Sequence, residues 1–397
     1  MSARPGTSRP AGSMAARLVG RLVAIVVVVG GLAILPLLDV PTAGAFPGAL
    51  SSPGTLQLLG LMLVFGALAL TYDLLFGFTG LLSFGHALYF AIGVYTTDIA
   101  LAHLGLSFLP AVGFAVAAGI VIPLAVGAVC LRVEGIAFAM VTLAFAQAAS
   151  LAVSHDVFGV TGGDLGLGLP YQKVPGVFVG VFNTRNIYWL ALVLLVVVYA
   201  AAWWLTNSPP GRVWQAIREN ERRVEVLGLR PYGFKLMAFV LASVLATLCG
   251  IVYLLLVNGA QPGVTTPDFT LTLLVMVVLG GTGRLWGAVI GGVIYTYLDQ
   301  RLGEFAASGT VQSLPKVASI PLSQPLFILG LLFVLFVLFV PGGVAGVVSR
   351  APARMPFDQY WRSRHDRGGP GGAEVAGTPG PEPQRDPADV REGGDGE

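Results

Sequence analysis

The stretch that decides the fold is Phe234–Val257, FKLMAFVLASVLATLCGIVYLLLV. From Leu236 onward it carries no charge. A helix needs about 20 apolar residues to cross the bilayer's hydrocarbon core, so this stretch reads as a membrane span. The same ruler, moved outward in both directions, finds runs at 20–38, 55–76, 86–104, 108–130, 135–154, 187–205, 268–283, 286–303 and 324–341. Glycines interrupt the 268–303 pair, which leaves open whether it is two full spans or a re-entrant turn. Composition agrees: 55% of the chain is hydrophobic and 11% charged, where a soluble domain carries roughly 25% charged residues. The expected fold is an all-α, polytopic transmembrane helical bundle with broken helices and about ten spans.

Basic residues set the expected orientation. With the N-terminus in the cytoplasm, Arg4, Arg9, Arg17, Arg21, Arg132, Arg284, the basic 206–235 segment and every arginine after Arg350 fall inside. Only Lys173, Arg185, Arg301 and Lys316 fall outside, as the positive-inside rule favours. The run after Arg21 is too long for a secretory h-region of about 7–15 residues. Ala43-Gly44-Ala45 has the look of a cleavage site, but a retained first span is the preferred reading. The expected organisation is a cytoplasmic tail at 1–19, a transmembrane domain at 20–348 with a cytoplasmic loop at 206–233, and a disordered cytoplasmic tail at 349–397. That tail is rich in Gly, Pro, Glu, Asp and Arg and poor in core-forming residues. Two long outside loops, 155–186 and 304–323, complete the layout.

Some functions are excluded. A net charge of +2 without a long basic run outside the tails argues against a nucleic-acid partner. Cys130 and Cys249 lie far apart in apolar runs and read as core residues, not as a disulfide or metal pair. No Gly-x-x-x-x-Gly-Lys-[Ser/Thr] loop for ATP phosphates is present, and no catalytic constellation is visible. The chain reads as a non-enzyme whose chemistry is supplied by a partner.

The loop Ser208–Pro231 is the most informative polar segment. Ser208 as N-cap, Pro209 at the first helical position, then Gly228 and Pro231, bracket a helix. Val213, Ile217, Val224 and Leu227 make an apolar stripe; Arg218, Glu219, Arg222 and Glu225 make the other face, with Glu219 spaced to pair with Arg222 or Arg223. Such a helix is too polar to span. Its stripe lies on the membrane surface, on the chain itself, or in a partner's groove.

The string Gly211-Arg-x-x-x-Ala-Ile-Arg-Glu-Asn-Glu221, followed by Leu227-Gly228 and by Lys235, resembles the coupling loop of LivM-type permeases, the membrane subunits of branched-chain amino acid ABC importers. Further stretches fit the same pattern in order over most of residues 60–346: Gly77-Phe-Thr-Gly-Leu-Leu-Ser-Phe-Gly-His86 with Gly93 and Tyr95, Arg132-x-x-Gly135, Thr142-Leu143, Thr161-Gly162-Gly163, Gly280-Gly281-x-Gly283 to Gly287, and Pro341-Gly342-Gly343. The resemblance implies docking of Arg212, Ala216, Ile217, Arg218, Glu219, Asn220 and Glu221 into a separate ATPase, with Gly228 as helix stop. It also implies partners: a homologous second permease, two cytoplasmic ATPases holding the ATP and Mg²⁺, and an extracytoplasmic binding protein docking at Thr161, Gly162 and Gly163. No cofactor is expected in this chain itself, and its place would be the bacterial plasma membrane.

For the solute pathway the candidates are Asp73, Gly80, Ser83, His86, Tyr95 and Thr142. Irregular backbone at membrane depth is tolerated where it is buried or lines a cavity, so groups freed around Gly80, with Ser83 and His86, are placed to bind a polar solute. Close helix packing through small residues is the alternative, preferred for Gly93. Asp73, an intramembrane carboxylate, has three readings: it meets a solute amine, caps a broken helix, or pairs with His86. Asp98 and Asp299 are expected to be solvated at outer ends. Urea or short amides as solutes, and a stand-alone secondary transporter, stay as rival readings.

Overall fold

In the computed structural model of the chain, the described residues are 27–40, 46–180, 183–306, 324–340 and 342–348, all within one compact unit, Met1–Ser349. The expected tails 1–19 and 349–397, the start of the 20–38 span and most of the 304–323 loop lie outside them.

The helices, in order, are α1 (Val27–Leu37), α2 (Pro53–Asp73, prolonged by a wider turn over Leu74–Thr79), α3 (His86–Ala102), α4 (Phe108–Cys130), α5 (Ile136–Ser154) and α6 (Thr184–Asn207). Two short helices follow, α7 (Pro209–Glu219) and α8 (Glu221–Val226), then α9 (Pro231–Val257), α10 (Pro267–Gly280), α11 (Leu285–Ala306), α12 (Pro325–Phe339) and α13 (Gly343–Val348). Each run measured in the sequence therefore holds a helix in its described part. Among the described residues, six helices are long and apolar enough to cross a membrane alone, or seven if the bent pair α10–α11 counts as one span. That pair turns by 120° at Gly281–Arg284. With 14 residues, α10 rises only about 21 Å at 1.5 Å per residue, short of the hydrocarbon core.

α2 and α9 form the centre. α2 packs on α6, α9, α10 and α11, while α9 carries α3 and α4 on its other side. Phe65, Phe90, Tyr253 and Phe269, one each from α2, α3, α9 and α10, interlock with ring centroids 5.1–6.5 Å apart. The α3–α9 contact depends on absent side chains: a Cβ on Gly93 would run into the Thr247 carbonyl, and one on Gly250 into the Phe90 carbonyl. Close packing is thus the observed role of Gly93. Cys130 and Cys249 are buried and free.

Two polar ties hold the periphery. Tyr188 donates to the Leu32 carbonyl (2.8 Å) and Trp189 to that of Ala33 (3.3 Å), seating α1 on α6. Leu167–Gly168 pairs antiparallel with Gly259–Ala260, fastening the 155–183 loop to the end of α9.

Candidate functional site

The segment between α2 and α3 is irregular, and several of its polar groups are met by the chain itself, while the buried Asp73 Oδ2 and His86 Nδ1 that flank it have no hydrogen-bond partner among the described residues. Its wide turn ends on Gly80 (φ +79°). Tyr72 donates to the Ser83 carbonyl (3.1 Å), the Phe84 amide to Thr142 Oγ1 (3.1 Å), and the Ala87 amide to Thr270 Oγ1 (3.1 Å). Thr71 spends its hydroxyl proton on the Leu68 carbonyl (2.7 Å), so at 2.9 Å it accepts from His86, which fixes the Nε2–H tautomer. Loop and helix starts are in this way stitched to α5 and α10.

The expected solute-binding groups are thus partly engaged, with Asp73 Oδ2, His86 Nδ1 and the Tyr95 hydroxyl left without a hydrogen-bond partner among the described residues. Asp73, Ser83, His86, Tyr95 and Thr142 are all buried, at 4% exposure or less; of the six pathway candidates only Gly80 is exposed. The cost of unpaired polar groups in an apolar medium accounts for the contacts made: Thr142 of α5 and Thr270 of α10 accept from the freed Phe84 and Ala87 amides, and Thr71 of α2 accepts from the His86 ring. Asp98, expected to be solvated, is also buried.

Asp73 takes the capping role, at a break 210 residues away. Its Oδ1 accepts from the Gly283 amide at 2.8 Å, in the turn between α10 and α11, and not from His86. The Arg218 guanidinium, from the end of α7, acts on the same carboxylate and donates to the Gly77 carbonyl. Arg284 donates to the Ala345 carbonyl of α13. Both helix breaks and one polar loop helix therefore meet at a single point.

The family described as "Branched-chain amino acid transport system / permease component" matches residues 54–340, well over half of the chain. The chain belongs to that family. Its members are transport components and not enzymes, and the several apolar helices make this one a multi-pass membrane protein. The high-affinity branched-chain amino acid transport system permease protein LivM of Escherichia coli is 28% identical over 285 residues, 64% of this chain and 65% of that protein, so the match spans just under two thirds of its length. A probable LivM of Methanocaldococcus jannaschii is 27% identical over 51% of this chain and 57% of its own. The ribose import permease protein RbsC of Escherichia coli is 31% identical over 33% of this chain and 42% of its own. No solved structure matches.

In this permease the polar loop is two helices, not one. Ser208 caps α7, accepting from the Gly211 amide at 3.4 Å, but the helix stops at Glu219 because Asn220 is extended (φ −163°) and caps α8 through the Arg223 amide at 3.1 Å. The kink separates Glu219 from Arg222 and Arg223, and breaks the expected stripe. Ile217 and Val224 are buried, whereas Leu227 is 79% exposed. Gly228 (φ +82°) follows the end of α8.

α7 packs through Gly211, Trp214 and Ile217, the indole donating to the Phe234 carbonyl at 2.9 Å. Trp214 was missed in the sequence, although it lies three residues before Ile217 and so on the same face. Of the residues assigned to docking, Arg212, Ala216, Arg218, Glu219 and Asn220 are exposed. Ile217 is turned inward by the apolar contact, and Glu221 pairs with Lys235 at 2.5 Å, with Glu134 at 4.0 Å from the same ammonium. These groups line a cleft of about 330 Å³ together with Glu225, Arg230 and Tyr232.

In the 155–183 loop, Thr161 is buried: its amide and hydroxyl both donate to Asp156 Oδ1 (2.7 and 2.8 Å). These bonds hold the Asp156 carboxyl below its ordinary value. Gly163 is buried and Gly162 partly so, and the exposed apolar side chains nearby are Val157, Phe158 and Leu165. Among the described residues no three His, Cys, Asp or Glu side chains are grouped to hold a metal ion.

Proposed function

We propose that the chain is the membrane subunit of an ATP-binding cassette importer in a bacterial plasma membrane and carries branched-chain amino acids or a similarly small polar solute. Two cytoplasmic ATPases supply ATP and Mg²⁺, a homologous permease completes the passage, and an extracytoplasmic binding protein delivers the solute. Both termini and the α7–α8 loop lie in the cytoplasm. The observation that carries the reading is α7: a short polar helix, packed by Gly211, Trp214 and Ile217 on the membrane domain and presenting Arg212, Ala216, Arg218 and Glu219, with Asn220 at its end, to the outside. A stand-alone transporter has no use for a charged helix so placed. The relatives' names support the solute class.

In this reading the exposed face of α7 enters the ATPase cleft. The binding protein meets Val157, Phe158 and Leu165, held out by the Thr161–Gly163 turn. The solute passes beside Gly80, while Asp73, Ser83, His86, Tyr95 and Thr142 keep the irregular wall in shape. The test is isolation of the chain in mild detergent with its co-purifying proteins identified. An ATPase, a second permease and a binding protein are expected; the chain alone, under conditions that preserve such complexes, overturns the reading. Labelling a cysteine placed in 215–222 from the cytoplasmic side only checks the orientation.

A further inference from the structure

Arg218 lies in the segment that the proposed function gives to ATPase docking and is exposed there, yet its guanidinium also reaches back to the membrane domain. The guanidinium donates to the Gly77 carbonyl in the wide turn that ends α2. The stem crosses Gly80, where a Cβ would stand 3.1 Å from Arg218 Cγ, and a Cβ on Gly283 would stand 2.8 Å from Nη1. Gly283 is the residue whose amide Asp73 holds. One side chain from the loop thus touches the break after α2 and the break between α10 and α11, and Asp73 joins the two breaks to each other. On the far side of the Asn220 kink, Glu221 is held by Lys235 at the start of α9, within 4.0 Å of Glu134 from the α4–α5 turn.

We infer that Arg218, although exposed on α7, is a positioning residue, with Asp73 as its counterpart: it transmits movement of α7 to the two interrupted helices. A guanidinium suits this task because its rigid planar fork donates to the Gly77 carbonyl in a fixed orientation beside Gly283, which a flexible lysine ammonium does not do. The carboxylate needs the cation in turn, since a buried charge stripped of its partner is costly. Displacing α7 therefore moves both breaks together or takes the guanidinium away from the buried carboxyl. The inference rests on the ATPase-coupled reading and adds the route by which the loop acts on the membrane domain.

The experiment uses the co-purified transporter in proteoliposomes and measures ATP hydrolysis and solute uptake together, with the branched-chain amino acids as probe. Arg218→Ala is expected to keep assembly and hydrolysis while uptake per ATP falls about tenfold or more, a coupling loss of ordinary size. Arg218→Lys, which keeps the charge and removes the risk of misfolding, is expected to fall between. Arg212→Ala and Glu219→Ala, on the outer face, should lower hydrolysis and uptake in proportion. Asp73→Asn keeps an acceptor for the Gly283 amide; combined with Arg218→Ala it should add no further loss, because residues in one network are not additive. A proportional fall, an unchanged ratio or loss of assembly in both Arg218 variants would overturn the inference and leave the importer standing, as would independent effects in the double variant. Wild-type chain isolated without an ATPase would overturn both.

Discussion

α2 and α4 are alike in the sequence and opposite in the structure. Both are long, apolar and of similar composition, yet 89% of the α2 window is enclosed by the chain and 22% of the α4 window. Apolar content thus tells which segments tolerate lipid and not which sits in the middle. Groups that need a partner tell that. α2 carries Gly66, Thr71, Tyr72 and Asp73, each with a defined neighbour on another element. α4 buries a single stripe of Ala111, Ala115, Gly119, Pro123 and Gly127, one residue every four, and points Leu109, Phe114, Val121 and Val129 outward. The stripe lets α9 approach closely, as small residues do between membrane helices.

The sharpest way to break the comparison is to place the same bulk in both regions. Gly250→Leu forces a side chain against the Phe90 carbonyl in the central contact. It should cost about 3 kcal/mol or more by overpacking, enough to abolish a monodisperse peak in size-exclusion chromatography. Gly113→Leu on α4 meets nothing within 4 Å and should change stability by less than about 0.5 kcal/mol. Equal tolerance would mean that the enclosure of the centre has no energetic content. Next in size is Asp73→Ala, which removes the acceptor of the Gly283 amide. The loss of a hydrogen bond to a charged group, about 1.5–3 kcal/mol, should appear as a lowered midpoint of thermal unfolding in detergent. Gln147→Ala, on the exposed side of α5, should leave that midpoint in place.

Much of the fold was legible because one physical demand dominates in lipid: a backbone must satisfy itself within a helix. The runs therefore marked the helices, and the interrupted 268–303 pair was flagged by its glycines. Crossing a membrane is a separate matter, because it depends on length and tilt, and α10 shows a helix too short to cross alone. The family was legible in the 211–221 string. The site was legible in its membership but not in its directions. Ser83, His86 and Thr142 were singled out for polar chemistry, and polar chemistry is what they do, but toward the Gly85 amide, Thr71 and the Phe84 amide. Sequence spacing gave no means of seeing that α5 and α10 supply the partners. Glu221 was assigned to docking with α7–α8 taken as one straight helix; the Asn220 kink rotates the second half and puts Glu221 on Lys235, while Arg218 stays exposed with its tip on the Gly77 carbonyl.

The two faces of α7 allow a finer test of enclosure at its edge. Ala216 and Ile217 are neighbours in sequence, the first exposed and the second 5% exposed beneath the helix. In an otherwise cysteine-free chain, Ala216→Cys should react quickly with a polar maleimide and Ile217→Cys at least about tenfold more slowly, as expected where reaction needs local opening. Similar rates would place α7 off the membrane domain.

The smallest effect contrasts the enclosed carboxylate of Asp73 with the peripheral one of Asp156. Asp156 sits in the left-handed region (φ 47°), outside the spans, and is held below its ordinary titration range by the amide and hydroxyl of Thr161. Because the folded value lies under the unfolded one, the turn's stabilisation is complete above the unfolded carboxylate value of about 4 and is lost as pH falls through the lower folded value. Hydrogen exchange at the Thr161 amide, corrected for intrinsic rate, should stay protected to the same degree from about pH 8 to pH 5 and weaken only below about pH 4. Asp156→Asn keeps an acceptor and removes the titration, so its protection should be modest and indifferent to acid. A loosening centred between about pH 6 and 7 would point to an imidazole and not to this carboxylate, and the turn would then be held by something other than the Asp156–Thr161 pair.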